Sequence, residues 1–150
     1  MNQEEIDELL LEALRRLYEE EEHLFRADAA ERTVCARLAM ILQGSFDHHS
    51  VDVEFNRHGF DPKEIEWPDT DGTPTVNKVY PDIIVHQRGH DEENLLVIEV
   101  KKTSNPAPDE GDLQKLSRIK HALNYRYAVF LRLPFRNDAE IDKVQVNWIA

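Results

Sequence analysis

Apolar residues in the first third of the chain recur at helical spacing. Ile6, Leu9, Leu10, Ala13, Leu14 and Leu17 fall three and four apart, which predicts an amphipathic helix over 4–22. Glu19 to Glu22 follow. Acids at a helix C-terminus oppose the macrodipole, so the helix is expected to end there. Val34, Leu38, Ile41 and Leu42 make a second stripe and predict a helix over roughly 28–43. Asp28 and Glu31 read as a capping-box-like pair at its start, and Gly44 as its stop.

From residue 51 the period becomes two. Val51, Val53 and Phe55 alternate with Asp52, Glu54 and Asn56, a half-buried strand. Residues 57–78 hold Gly59, Pro62, Pro68, Gly72 and Pro74 without sustained periodicity and read as a long loop. A strand is expected over Tyr80–Gln87, with Pro81 at its start, then a turn over 88–93 and a strand over Asn94–Lys102. The apolar run of that last strand predicts a central position, covered on both faces. A polar loop over 103–111, a helix over 112–123, and strands over Tyr127–Leu133 and Val144–Ile149 complete the chain. The order α-α-β-β-β-α-β-β predicts an α/β sandwich around a mixed sheet, one domain over 1–150.

Composition narrows the class. No run approaches the roughly 18 apolar residues a membrane helix needs. The N-terminus lacks a basic stretch followed by an apolar one, so no secretory signal is expected. A single cysteine, Cys35, excludes an internal disulfide and fits a packed thiol in a reducing cytoplasm. The formal charge of −12 argues, taken alone, against a nucleic-acid partner. Its distribution changes that. Residues 1–31 hold eleven acids and three arginines, a net of −8, whereas residues 101–136 hold eight bases and three acids, a net of +5. Solvated faces would give the same counts.

The candidate chemistry comes from strand register. If the two central strands form a hairpin with a six-residue loop at 88–93, Gln87 lies across from Asn94 and Asp82 across from Glu99. Lys101, two residues beyond Glu99, points to the same face. Two crowded carboxylates repel unless a cation sits between them. Hard oxygen ligands, with no cysteine–histidine cluster, favour Mg2+ or Mn2+ over zinc. A metal there can polarise a phosphate oxygen and lower the pKa of a bound water, and the lysine has the reach to orient that water. The plainer alternative is that Asp82 and Glu99 only pair with Lys101 and Lys102 as salt bridges, a costly arrangement at the end of an apolar hairpin. His48, His49, His86 and His90 lie in or beside turns without metal-ligand spacing and read as surface or hydrogen-bonded residues. Phe60, Trp67 and Tyr80 could stack on bases or simply cover a sheet edge.

Pro81-Asp82, sixteen intervening residues, and Glu99-Val100-Lys101 together resemble the PD-(D/E)XK nuclease motif. The order of elements around them is similar to the αβββαβ core of the restriction-endonuclease-like superfamily. The resemblance spans about residues 28–133, with an extra N-terminal helical segment over about 1–27 and an added last strand. It implies a metal-dependent DNA nuclease of repair or defence. Asp82 and Glu99 would be metal ligands, the Val100 carbonyl would complete the ligand shell, and Lys101 would position the water. It also implies a role for Glu31, which lies on the apolar face of its helix; the alternative for Glu31 is a first-turn acid satisfied by the helix terminus. Glu54 and Lys115 are weaker candidates; Glu54 reads as well as a solvated or structural acid, and Lys115 reads more simply as a surface lysine. The Gln-x-x-x-Tyr element of the exonuclease branch is not met, because Arg118 stands four residues after Gln114. A homodimer would supply the two sites that cutting both strands takes, and a protein partner could supply specificity. A non-catalytic nucleic-acid-binding or protein-interaction module with the same fold is the alternative function.

Overall fold

Asn2 starts the first helix by accepting the Glu5 N–H at 2.9 Å, while the Glu5 side chain accepts the Asn2 N–H at 2.8 Å. That helix, α1 (Gln3–Glu20), ends within the predicted run of glutamates. A short α2 (Glu22–Arg26) and then α3 (Glu31–Gln43) follow. The computed structural model describes residues 1–55, 63–68, 72 and 74–150. Among them no helix is long and apolar enough to cross a membrane.

The chain is an α/β protein whose N-terminal helices precede a mixed five-stranded sheet. Its strands are β1 (Ser50–Val53), β4 (Ile83–His86), β5 (Leu96–Lys102), β6 (Tyr127–Leu133) and β7 (Gln145–Trp148), in the spatial order β1-β4-β5-β6-β7. β1, β4 and β5 pair antiparallel, β5 and β6 parallel, and β6 and β7 antiparallel. The parallel pair requires a crossover, which α4 (Glu110–Ala122) provides. β5 is central, as its apolar run predicted. Leu96, Ile98 and Val100 pack toward α1, α2 and α3, and Val97 packs toward α4 with Leu116 and Ile119.

Three expectations change. Residues 57–78 are not one long loop. β2 (Glu64–Pro68) and β3 (Pro74–Lys78) pair antiparallel as a separate two-stranded sheet. Pro68 and Pro74 face each other at its end, where a missing donor is tolerated, so prolines that suggested loop mark a strand terminus instead. Phe60 lies outside the described residues; Trp67 is on β2, and Tyr80 is exposed. Second, α3 starts at Glu31 with Ala30 as its N-cap, and no side chain caps it. Asp28 is left-handed instead, at φ 56°, with its carboxylate on Lys102 and Arg136. Two strong cationic donors hold it away from the cap position. Third, the first strand stops at Val53 because Glu54 turns left-handed at φ 49°, a conformation a strand cannot continue through.

Candidate metal and catalytic centre

β4 is shorter than the hydropathy pattern suggested, and that creates the site. Its pairing with β5 runs Val85↔Leu96, Ile84↔Val97, Ile83↔Ile98 and stops. β5 continues to Lys102, paired there with β6 alone. One more step of the same register sets Asp82 against Glu99, as the hairpin argument required. The β4-facing edge of β5 is open beyond Ile98, so its backbone groups need other partners. Acids supply them. Asp82 Oδ2 accepts the Val100 N–H at 2.8 Å, and Glu31 Oε1 accepts the Lys102 N–H at 3.1 Å. Glu31 thus reaches from the first turn of α3 onto the strand that carries Glu99 and Lys101. In an extended strand a residue's N–H and C=O project to the same edge. The Val100 carbonyl therefore faces the same gap.

Glu54 belongs to this end as well. Its N–H donates to the Asp82 carbonyl at 3.2 Å, and its carboxylate meets Arg32 at 3.2 Å. Glu31, Arg32, Cys35, Val53, Glu54 and Asp82 line a pocket of about 210 Å³. Cys35 is packed, as expected, and its thiol is pushed up by burial and then by the surrounding carboxylates of Asp82, Glu31, Glu99 and Glu54. Sequence reasoning missed its place here, although it stands four residues after Glu31 and so shares its helix face.

The electrostatics are lopsided. Burial raises the Asp82 carboxyl, against the Val100 N–H that lowers it. Glu99 is pushed well above the usual range, first by burial and then by the Asp82 charge; the Lys115 charge works the other way on both acids. Lys115, half-buried on α4, therefore lies within electrostatic reach of the pair. Glu99 Oε1 is buried with no hydrogen-bond partner among the described residues. Such an atom is costly unless something binds it.

Lys101 lies on the face of β5 that alternation assigned, and only 8% of it is exposed. Its Nζ donates to Asp112 Oδ2 at 2.6 Å, to the Ala107 carbonyl at 3.2 Å and to the Pro108 carbonyl at 3.5 Å. Lys102 pairs with Asp28 at 2.9 Å. The plain salt-bridge reading of the motif therefore fails: both lysines are paired elsewhere, and among the described residues neither Asp82 nor Glu99 forms an ion pair.

The residues present fit a hard divalent cation. No three histidine, cysteine or acidic side chains among the described residues converge into a complete ligand set. Two carboxylates and a backbone carbonyl still suffice for Mg2+, which keeps several waters and takes the remaining oxygens from a substrate phosphate.

Comparison with known proteins assigns no family. No protein-family model matches the chain. No curated protein matches it either. A solved structure described as the crystal structure of SSO0001 aligns with a TM-score of 0.47 at 15% identity. The alignment covers 94% of this chain and 63% of that one, so this chain spans less than two thirds of that protein's length.

Proposed function

We propose that this chain is a divalent-metal-dependent nuclease of the PD-(D/E)XK kind that hydrolyses phosphodiester bonds in DNA, with Asp82 and Glu99 as ligands of Mg2+ or Mn2+. One observation carries the reading: a buried Glu99 oxygen without a partner among the described residues, beside the half-buried carboxyl of Asp82, at an edge where the sheet has been left open. A cation there relieves the repulsion that burial enforces. When bound, the metal supplies charge neutralisation at the phosphate and a more acidic water.

The chain's own groups then have distinct tasks. Asp82 and Glu99 hold charge at the open edge, and the Val100 carbonyl adds a neutral oxygen beside them. Glu31 fixes the strand through the Lys102 N–H. Lys101 orients the attacking water or meets charge on the phosphate oxygens, which requires its ammonium to reach past its contact with Asp112. Lys101, Lys102, Arg132 and Arg136 are already paired with acids, so among the bases over 101–136 it is Lys115, whose charge reaches both Asp82 and Glu99, that is placed to meet a phosphate.

The test is a cleavage assay over single-stranded, duplex, flapped and four-way DNA with Mg2+ and Mn2+. Cleavage is expected with either metal and is expected to vanish in Lys101→Ala; cutting that survives in this variant removes Lys101 from the mechanism. The docking of Lys101 on Asp112 favours a second reading, a non-catalytic nucleic-acid-binding or interaction module. Calorimetric titration separates the two, since such a module has no need of either metal.

A further inference from the structure

Lys101 and Arg132 are direct neighbours across the parallel β5–β6 pair, and each is only 8% exposed. Two cations side by side in the interior repel and carry a desolvation cost. The β5–α4 loop resolves the conflict by folding back over both. Arg132 Nε donates to Asp109 Oδ1 at 2.9 Å, and Nη2 donates to the same oxygen. Nη1 donates to the carbonyls of Lys102 at 2.8 Å and Asn105 at 2.6 Å, and Nη2 to that of Ala107 at 2.7 Å. The Ala107 carbonyl also accepts from Lys101 Nζ, at 3.2 Å. One oxygen therefore joins the arginine to the lysine.

We propose that Arg132 is a positioning residue for Lys101: its guanidinium moulds the 103–109 loop so that the Ala107 and Pro108 carbonyls and Asp112 set the direction of the Lys101 ammonium. The catalytic part of this inference rests on the nuclease reading above; the positioning part does not. Only arginine fits the task. Its planar fork reaches four acceptors at once, one at the end of β5 and three on the loop that follows, whereas a lysine has three donors on a single atom. Arg132→Lys keeps the charge next to Lys101 and loses the fork, so the loop can no longer be held in register with the lysine.

The experiment measures Lys101 directly. Amine-specific acylation is followed residue by residue by peptide mass spectrometry, with the more exposed Lys143 as internal reference. In the unaltered protein Lys101 is expected to react roughly tenfold more slowly than Lys143, because reaction requires local opening. In Arg132→Lys the Lys101 rate is expected to rise severalfold while that of Lys143 stays constant. Asp109→Asn, which removes the carboxylate beneath the fork and leaves the arginine, is expected to do the same and serves if the first variant does not fold. An unchanged Lys101 rate in a folded variant overturns the proposal. Cleavage kinetics read the catalytic part: kcat falls while KM and metal affinity hold, and a loosened Lys101 with unchanged kcat overturns that part. If the unaltered protein cuts no DNA, faster labelling of Lys101 still supports the positioning role while the nuclease reading fails.

Discussion

At one end of β4, Asp52 meets His86 Nε2 at 2.7 Å and Arg88 Nε at 2.9 Å. At the other end, Asp82 and Glu99 face each other, and among the described residues neither forms an ion pair. Both ends bury carboxyl groups on the same sheet. Burial would raise Asp52, but hydrogen bonds from Arg88 and His86 outweigh it and hold the carboxyl below its usual value. Burial also lowers the His86 imidazole, against the pull of Asp52. Asp82 and Glu99 are raised instead, Glu99 well above. The first end is a finished structural contact, complete within the chain. The second leaves two carboxyls raised and one Glu99 oxygen without a hydrogen-bond partner among the described residues, and that asymmetry is the physical argument for a site.

Neutralising one acid at each end breaks the symmetry most severely. Glu99→Gln is expected to lower metal-dependent cleavage by about 10²–10³-fold and, in metal-free buffer, to raise the melting temperature by relieving the repulsion. Asp52→Asn is expected to leave cleavage intact and to cost about 1–3 kcal/mol, mainly by replacing the charged partner of buried His86 with a weaker neutral amide, since Arg88 is exposed. Denaturant melts read both. A stability loss in Glu99→Gln equal to that in Asp52→Asn would erase the distinction between the ends.

Metal addition is the next effect. Mg2+ or Mn2+ at about 100 times its dissociation constant is expected to stabilise the protein by about 2.7 kcal/mol. Thermal shift should detect it in Asp52→Asn and not in Glu99→Gln.

The ends also differ in pH dependence, with opposite sign. The Asp52 carboxyl is lower in the folded state than in the unfolded chain. Its contribution is present above the unfolded value of about 3.9 and is lost as pH falls through the folded value. Glu99 is higher in the folded state, so metal-free stability falls as pH rises from about 4.3 through the raised value. Urea midpoints from pH 3 to 8 should show Asp52→Asn flattening the acid limb and Glu99→Gln flattening the decline that begins above about 4.3. The smallest effect is expected for Arg32→Ala. The Arg32–Glu54 pair is mostly exposed, so a stability change within about 0.5 kcal/mol is expected by the same melts.

The hydrophobic pattern by itself determined the helices over α1 and α3, the central place of β5, the full extent of β6, and the hairpin register that opposes Asp82 and Glu99. Those features follow from local periodicity, because a strand or helix that must bury one face has little choice of phase. The prolines at 68 and 74 misled because proline marks a strand end as readily as a loop. Pairing across that hairpin is a contact no single strand announces.

Tertiary structure alone decided the rest of the site. That β4 stops at Ile83 while β5 runs on leaves an open edge, and only then do Glu31 and Cys35 from α3 and Glu54 from beyond β1 converge beside Asp82. The partner of Lys101 was likewise unreadable: alternation fixes a side chain's face, but not which neighbour across the layer takes its charge. Asp112 and the loop moulded by Arg132 took it, because two adjacent buried cations on neighbouring strands demand acceptors, and the nearest lay on the crossover between those strands.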